Sequence, residues 1–446
     1  MLNTTNATGA ITGKQYVERL NDGREVWLRG ERIDVTMHPA LAGTLSEIAR
    51  LCDLQHDPEH QDAMTFLSPE SGRRISASYL LPHTKADLAA RRRNAETWAE
   101  ESWGLLINTS DYMASALVGL YDFRQELGAL DPRFARNAES YFRHAAENDL
   151  ALAHAVADPL TERSELYPGF KPDPEKGLRI VEERGDGLVV RGALPLVPMA
   201  PLAHELFVYT TSTLAGAERD PAVQWFAVPI STPGLKVLCN EPSSGYAADS
   251  SHVFANRYGE VDGTVFFEDV LVPWDRVFLT YQGAFAQQGL ERIRAWAMYS
   301  ANIRSYYYLW TVVGVATMMV EAVGADVQRG MRDKLGETII YPELFRSALM
   351  GTELEAAPTP GGLLAPGSGL PLAAFAEQYS RRILDLVRDM GGAGLLQQVS
   401  EADLASPALG PLIERHLGTE AFSAGEKARL FRLAWDLIGD GSGARK

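Results

Sequence analysis

Few residues in this chain stand where chemistry could start, and each also admits a plain structural reading. His154, in DLALAHAVADP, is a lone histidine in an apolar run. An imidazole there can donate a hydrogen bond or take a proton near neutral pH, or it can be a satisfied core residue of a helix. In INTSDYMAS, Asn108 and Tyr112 stand four residues apart at the start of a helical pattern. The amide offers hydrogen bonds without charge, or caps the helix; the phenol lines a pocket, or packs in the core. In GALPLVPMAPLA, Pro195, Pro198 and Pro201 recur every third residue in a segment otherwise apolar enough for a buried strand. Each proline removes a backbone donor, so this segment must be an edge, a bulge or a loop crossing an interior. In VRDMGGAGLLQQ, Gly391 and Gly392 form a turn without side chains. It either brings backbone donors close to a phosphate or simply stops a helix.

These residues need elements to hold them, and the 446 residues divide into three compositional zones. Residues 1–155 read as mainly helical, with apolar spacing in AGTLSEIARLCDLQ and NAESYFRHAAENDLALAHAVAD, and one small hairpin in GREVWLRGERIDV. Residues 156–275 are short β-rich runs separated by turn signals, which suit a sandwich or barrel; Asp-Gly in ERGDGLVV signals a hairpin. Residues 276–446 return to long helical patterns. The expected fold class is therefore α+β and multi-domain, in the order helices, sheets, helices.

Composition narrows the function. A net charge of −16 opposes nucleic acid and anionic membrane surfaces. Two distant cysteines, Cys52 and Cys239, build neither a disulfide framework nor a Cys-rich metal site, and suit a reducing cytoplasm. No signal peptide is visible at the N-terminus. The most apolar helix, YYYLWTVVGVATMMVEAVGA, is interrupted by Gly314 and flanked by charge, so it reads as core. Its apolar face exceeds what one subunit covers, which leads us to expect a homodimer or homotetramer.

The segments GREVWLRGERIDVTMHPA, DPLTERS, LRIVEERGDGLVVRGA, RYGEVDGTVFFEDVLVPWDRVF and LFRLAWDLIGDGSGAR resemble the 4-hydroxyphenylacetate 3-monooxygenase family, over nearly the whole chain. The resemblance implies an acyl-CoA dehydrogenase-like fold and the large component of a two-component monooxygenase. A partner reductase would supply reduced FAD, and molecular oxygen would hydroxylate a phenolic or other aromatic substrate. Family members usually continue a little past the final GARK.

Family roles carry over by position. Tyr112 and His154 would reach the substrate phenol. Asn108 would do so too, although the family carries Arg there. Thr161 and Arg163 match the loop beside the flavin, and Gly391 and Gly392 the turn near its pyrophosphate. Pro198, Met199 and Ala200 fall where the family usually has Thr-Gly followed by Ala. Tyr308, four residues after Arg304, replaces a family Lys. RYGEVDG, with Arg257, Glu260 and Asp262, is expected to be an ion-paired turn between strands. Lost polar groups at Asn108, Pro198 and Tyr308, taken as one pocket, keep an alternative open: a fold relative that performs a non-redox cyclisation or elimination.

Overall fold

The computed structural model describes residues 8–156, 177–211, 219–241, 252–397 and 399–439. The N-terminal part contains helices α1 (Gly13–Leu20), α2 (Pro39–Leu54), α3 (Gln61–Met64), α4 (Lys85–Glu101), α5 (Ser110–Asp122), α6 (Arg124–Leu130) and α7 (Pro132–Asn148). Interleaved are strands β1 (Val26–Leu28), β2 (Glu31–Ile33), β3 (Thr65–Leu67), β4 (Arg74–Ser76) and β5 (Leu152–Ala155). Local chemistry sets the helix starts. Thr12 with Gln15 and Thr84 with Asp87 form reciprocal capping boxes, and Asp131 caps α7 ahead of Pro132.

The helix expected to run through His154 stops early. At Asp149 the backbone turns left-handed, with φ 47° and ψ 55°. Its buried carboxylate accepts hydrogen bonds from Ile11 N at 3.1 Å and Gln55 Nε2 at 2.7 Å. The following residues become β5, so His154 lies on a strand and not on a helix.

The strands that follow are β6 (Arg179–Glu183), β7 (Gly187–Pro198), β8 (Glu205–Tyr209), β9 (Gln224–Pro229), β10 (Leu235–Cys239), β11 (Asp262–Pro273) and β12 (Val277–Thr280), with a short β13–β14 pair (Ala357–Pro358, Leu364–Ala365) later in the chain. The larger sheets are six-stranded, β2-β1-β10-β11-β7-β6, and four-stranded, β12-β9-β8-β5. Phe226 and Phe267 meet edge-to-face between the sheets, with centroids 6.1 Å apart. The β6–β7 hairpin is present, with the strands antiparallel and Glu183 opposite Leu188.

The proline-bearing segment is both an edge and a bulge. Among the described residues β6 pairs with β7 only as far as Arg191 and Gly177 bridges to Ala193; beyond these, Leu194, Val197 and Pro198 pair with β11 alone. Two residues, Pro195 and Leu196, stand opposite the single Thr264, so the missing donors fall where the ladder is already interrupted.

The C-terminal part contains α8 (Val253–Tyr258), α9 (Gly283–Ala322), α10 (Arg329–Leu354), α11 (Leu370–Gly391), α12 (Glu401–Ala405), α13 (Gly410–Leu417) and α14 (Ala424–Ile438). The 40-residue α9 is the spine, in contact with α4, α5, α10, α11 and α14. Close approach of α5 to α9 depends on Gly119, where a Cβ would stand 2.6 Å from the Ile293 Cα. Among the described residues no helix is long and apolar enough to cross a membrane.

Candidate active site

The turn leading into α5 is held from two sides. The Glu260 carboxylate accepts hydrogen bonds from Ile107 N at 2.8 Å, Asn108 N at 2.9 Å and Asn108 Nδ2 at 3.1 Å. From α9, the buried Arg304 donates to the Ile107 carbonyl, to Thr109 Oγ1 at 2.7 Å and to Asp111 Oδ1 at 2.6 Å. Backbone amides at a helix start need acceptors and carbonyls need donors, and this pair supplies both. Asn108 is therefore not the cap: Thr109 occupies that position, and the Asn108 amide is committed to Glu260.

One turn on, Tyr112 meets His154 edge-to-face, with ring centroids 5.6 Å apart and planes at 89°. Strand alternation explains why. His154 pairs with Phe207 across β5 and β8, and Tyr209, two residues further, faces the same way. Trp225 stands opposite Tyr209 on β9. One face of the four-stranded sheet thus presents His154, Phe207, Tyr209 and Trp225. His154 Nδ1 lies 3.0 Å from the Tyr209 hydroxyl.

Burial dominates the electrostatics. It lowers the His154 pKa to about 4, with the nearby Glu260 charge opposing the shift. It also raises the Tyr112 pKa, opposed by Arg294 and Arg304 and reinforced by Glu260. At neutral pH the pair is a neutral imidazole against a protonated phenol.

Asn108 and Met199 line one cleft of about 20 Å³, together with Trp98, Ser110, Leu152 and Leu202. That is room for about one water molecule. Met199 is 5% exposed and adopts a left-handed backbone, φ 60° and ψ 10°, at the start of a short 3₁₀ turn through Ala200 and Leu202. Glycine reaches this conformation freely, which accounts for the family's Gly here. The methionine keeps the backbone path and adds a side chain to the cleft. Pro198 ends β7 opposite Asp262, and Ala200 is fully buried. The Trp98 indole N–H is buried, has no hydrogen-bond partner among the described residues and belongs to the cleft lining. The Ser110 hydroxyl lines the same cleft, so an acceptor-bearing group placed there would find donors.

Other candidates fall elsewhere. Thr161 and Arg163 lie outside the described residues. Gly391 ends α11, where a Cβ would meet the Leu395 side chain at 2.6 Å, and Gly392 turns left-handed with φ 49°. Gly391 is half-buried and Gly392 exposed at the end of α11, and no described contact joins them to Asn108, Tyr112 or His154. Tyr308 packs in the helical core, with Leu105, Leu106 and Leu309, so the three altered positions do not converge on one pocket. Arg257 pairs with Glu47 at 2.6 Å, so this arginine of the RYGEVDG segment ties it to α2.

Two residues at the site escape a reading of the sequence. Glu260 lies in a segment that looked structural, some 150 residues from its partners in the chain. Tyr209 carries no local signal in the sequence; only the register of β8 beside β5 brings it to His154.

Comparison with known proteins places the whole chain. A family model described as the 4-hydroxyphenylacetate 3-hydroxylase N terminal matches residues 12–279, and its C-terminal counterpart matches residues 287–446. The oxygenase component of 4-hydroxyphenylacetate 3-monooxygenase from Thermus thermophilus is 35% identical over 451 residues, covering 98% of this chain and 90% of that protein. A crystal structure of such a component complexed with FAD superposes with a TM-score of 0.90 at 34% identity, covering 98% of this chain and 91% of that one. The complex with both FAD and 4-hydroxyphenylacetate gives 0.89 at the same identity and coverage. The acyl-CoA dehydrogenase-like order of helices, sheets and helices is thus shared along the full length, and the chain belongs to the 4-hydroxyphenylacetate 3-hydroxylase family, the oxygenase components of flavin-dependent aromatic monooxygenases.

Proposed function

We propose that this chain hydroxylates a phenolic substrate, using reduced FAD from a separate reductase and molecular oxygen. The observation that carries the reading is the edge-to-face pair of Tyr112 and His154 beside the clamped Asn108 turn. Bound reduced FAD supplies the activation of oxygen. Trp98, Asn108, Ser110 and Met199 are the residues we assign to its neighbourhood. The chain's own contribution is to bind and orient the ring and to exclude water. Tyr112 and His154 meet the phenol oxygen as neutral groups. Asn108 in place of a cation leaves no fixed positive charge at that point, so a substrate that arrives without a phenolate charge suits the pocket.

The test supplies the protein with reduced FAD, ¹⁸O₂ and a panel of phenols and follows the products by mass spectrometry. One labelled oxygen ortho to the phenol is expected; consumption of flavin and oxygen with no aromatic product across the panel would overturn the proposal. A second reading, a non-redox cyclisation or elimination in the same pocket, is favoured by Met199, whose buried side chain occupies the cleft. Fluorescence titration with FAD separates the two. Pro198→Thr with Met199→Gly should tighten binding roughly threefold to tenfold, the value of one regained hydrogen bond. Absence of binding by either protein would support the second reading.

We further propose that the chain assembles as a homodimer or homotetramer through its C-terminal helices and works in a reducing cytoplasm. Exposed Met318, Val323, Ile339, Ile340, Leu344 and Leu354 on and beside α9 and α10 support the assembly. A light-scattering mass of a single chain would rule it out.

A further inference from the structure

The Tyr209 hydroxyl is buried, and among the described residues it has one hydrogen-bond partner, His154 Nδ1, at 3.0 Å. A buried O–H needs an acceptor, and Nδ1 is the acceptor in reach. Were Nδ1 to carry the imidazole proton, the Tyr209 proton would have none. The Tyr209 proton therefore points at Nδ1, and the imidazole carries its own proton on Nε2. The neighbours keep this geometry. Phe207 stacks on Tyr209 with centroids 4.7 Å apart, and Trp225 closes its edge at 6.4 Å. Burial pushes the Tyr209 pKa up and lowers that of His154 to about 4, so neither group ionises at neutral pH.

We propose that Tyr209 is a positioning residue that fixes His154 in its Nε2–H form, so that the pocket offers the phenol oxygen a hydrogen-bond donor and not a lone pair. This rests on the hydroxylase reading above, because it names what His154 does to a phenol. Nε2 has no described partner and is the nitrogen left for a ligand. An N–H aimed at a phenol oxygen stabilises negative charge there. A lone pair at the same place would instead take up the phenol proton.

The test begins without flavin or substrate. In ¹⁵N-histidine-labelled protein, with His154→Gln used to assign the signal, the wild-type His154 should show a protonated Nε2 and an unprotonated, hydrogen-bonded Nδ1. A protonated Nδ1 in the wild type would overturn the proposal, whatever the reaction proves to be. Tyr209→Phe keeps the ring and removes the hydroxyl; it should give a mixture of both neutral forms. The same variant is then titrated with 4-nitrophenol, whose ionisation is visible by absorbance. Wild-type protein should hold more of it as phenolate, and Tyr209→Phe should bind it roughly threefold to tenfold more weakly while remaining folded by circular dichroism. Unaltered tautomer and unaltered phenolate fraction in the variant would reduce Tyr209 to packing. Hydroxylation failing while the tautomer result holds would discard the reaction and leave the tautomer assignment standing.

Discussion

Glu260 gathers three donors from a single turn, two of them main-chain amides. Hydrogen bonds to a charged acceptor are worth about 1.5–3 kcal/mol, and a neutral amide at this position turns one acceptor into a repelling donor. Glu260→Gln should therefore lower unfolding stability by about 2 kcal/mol by urea titration and release the Asn108 turn. Asn108→Ala removes one of the three bonds and should cost about 1 kcal/mol. Tyr112→Phe tests the neighbouring phenol. It should reduce hydroxylation about tenfold with the urea midpoint unchanged; full activity would assign Tyr112 to packing.

At the scale of elements, α5 and its partner α9 set the distance between Tyr112 and the sheet. Gly119 permits that approach, and a methyl group there would sit against the Ile293 backbone. Gly119→Ala should cost about 1–3 kcal/mol and slow turnover through displacement of α5, measured by thermal unfolding alongside steady-state rates. Much at this scale was legible in the sequence: the small hairpin of β1 and β2, the β6–β7 turn, and the edge or bulge demanded by prolines in β7. What was not legible has physical causes. The run ALAHA alternates as a strand does, yet follows a helix without a glycine or proline between them. The break comes from Asp149, whose carboxylate serves Ile11 and Gln55, partners that no local pattern announces. Tyr209 and Glu260 reach the site by register and by long-range pairing, which spacing does not encode. Met199 was legible as a departure but not as a left-handed residue.

The whole molecule responds to acid through its buried imidazoles. The His154 pKa is lowered to about 4 and that of His204 to about 3, in both cases chiefly by burial. An unfolded chain binds protons at these sites near pH 6.5, whereas the native chain does not. Their contribution is thus fully present above pH 6.5 and is lost as pH falls toward 4 and 3. Glu205 follows in the same direction at lower pH: Arg276 and His144 outweigh burial and hold its pKa down at about 2. Urea midpoints should fall between pH 7.5 and pH 5, by an amount on the order of 1–2 kcal/mol per histidine. Equal midpoints would mean that these imidazoles titrate normally in the folded protein.

Beyond Ala193 no described strand pairs with the outer margin of β7, and this has a consequence for crowded solution. An unpaired strand edge is a template on which another chain can lay its own strand, and the apolar sequence here would reward it. Pro195 and Pro198 remove the donors such a chain would need, and Leu196, 70% exposed with φ 52°, bends the margin away from a straight ladder. The same residues that interrupt the sheet therefore oppose edge-to-edge joining of separate molecules along the strand that borders the cleft.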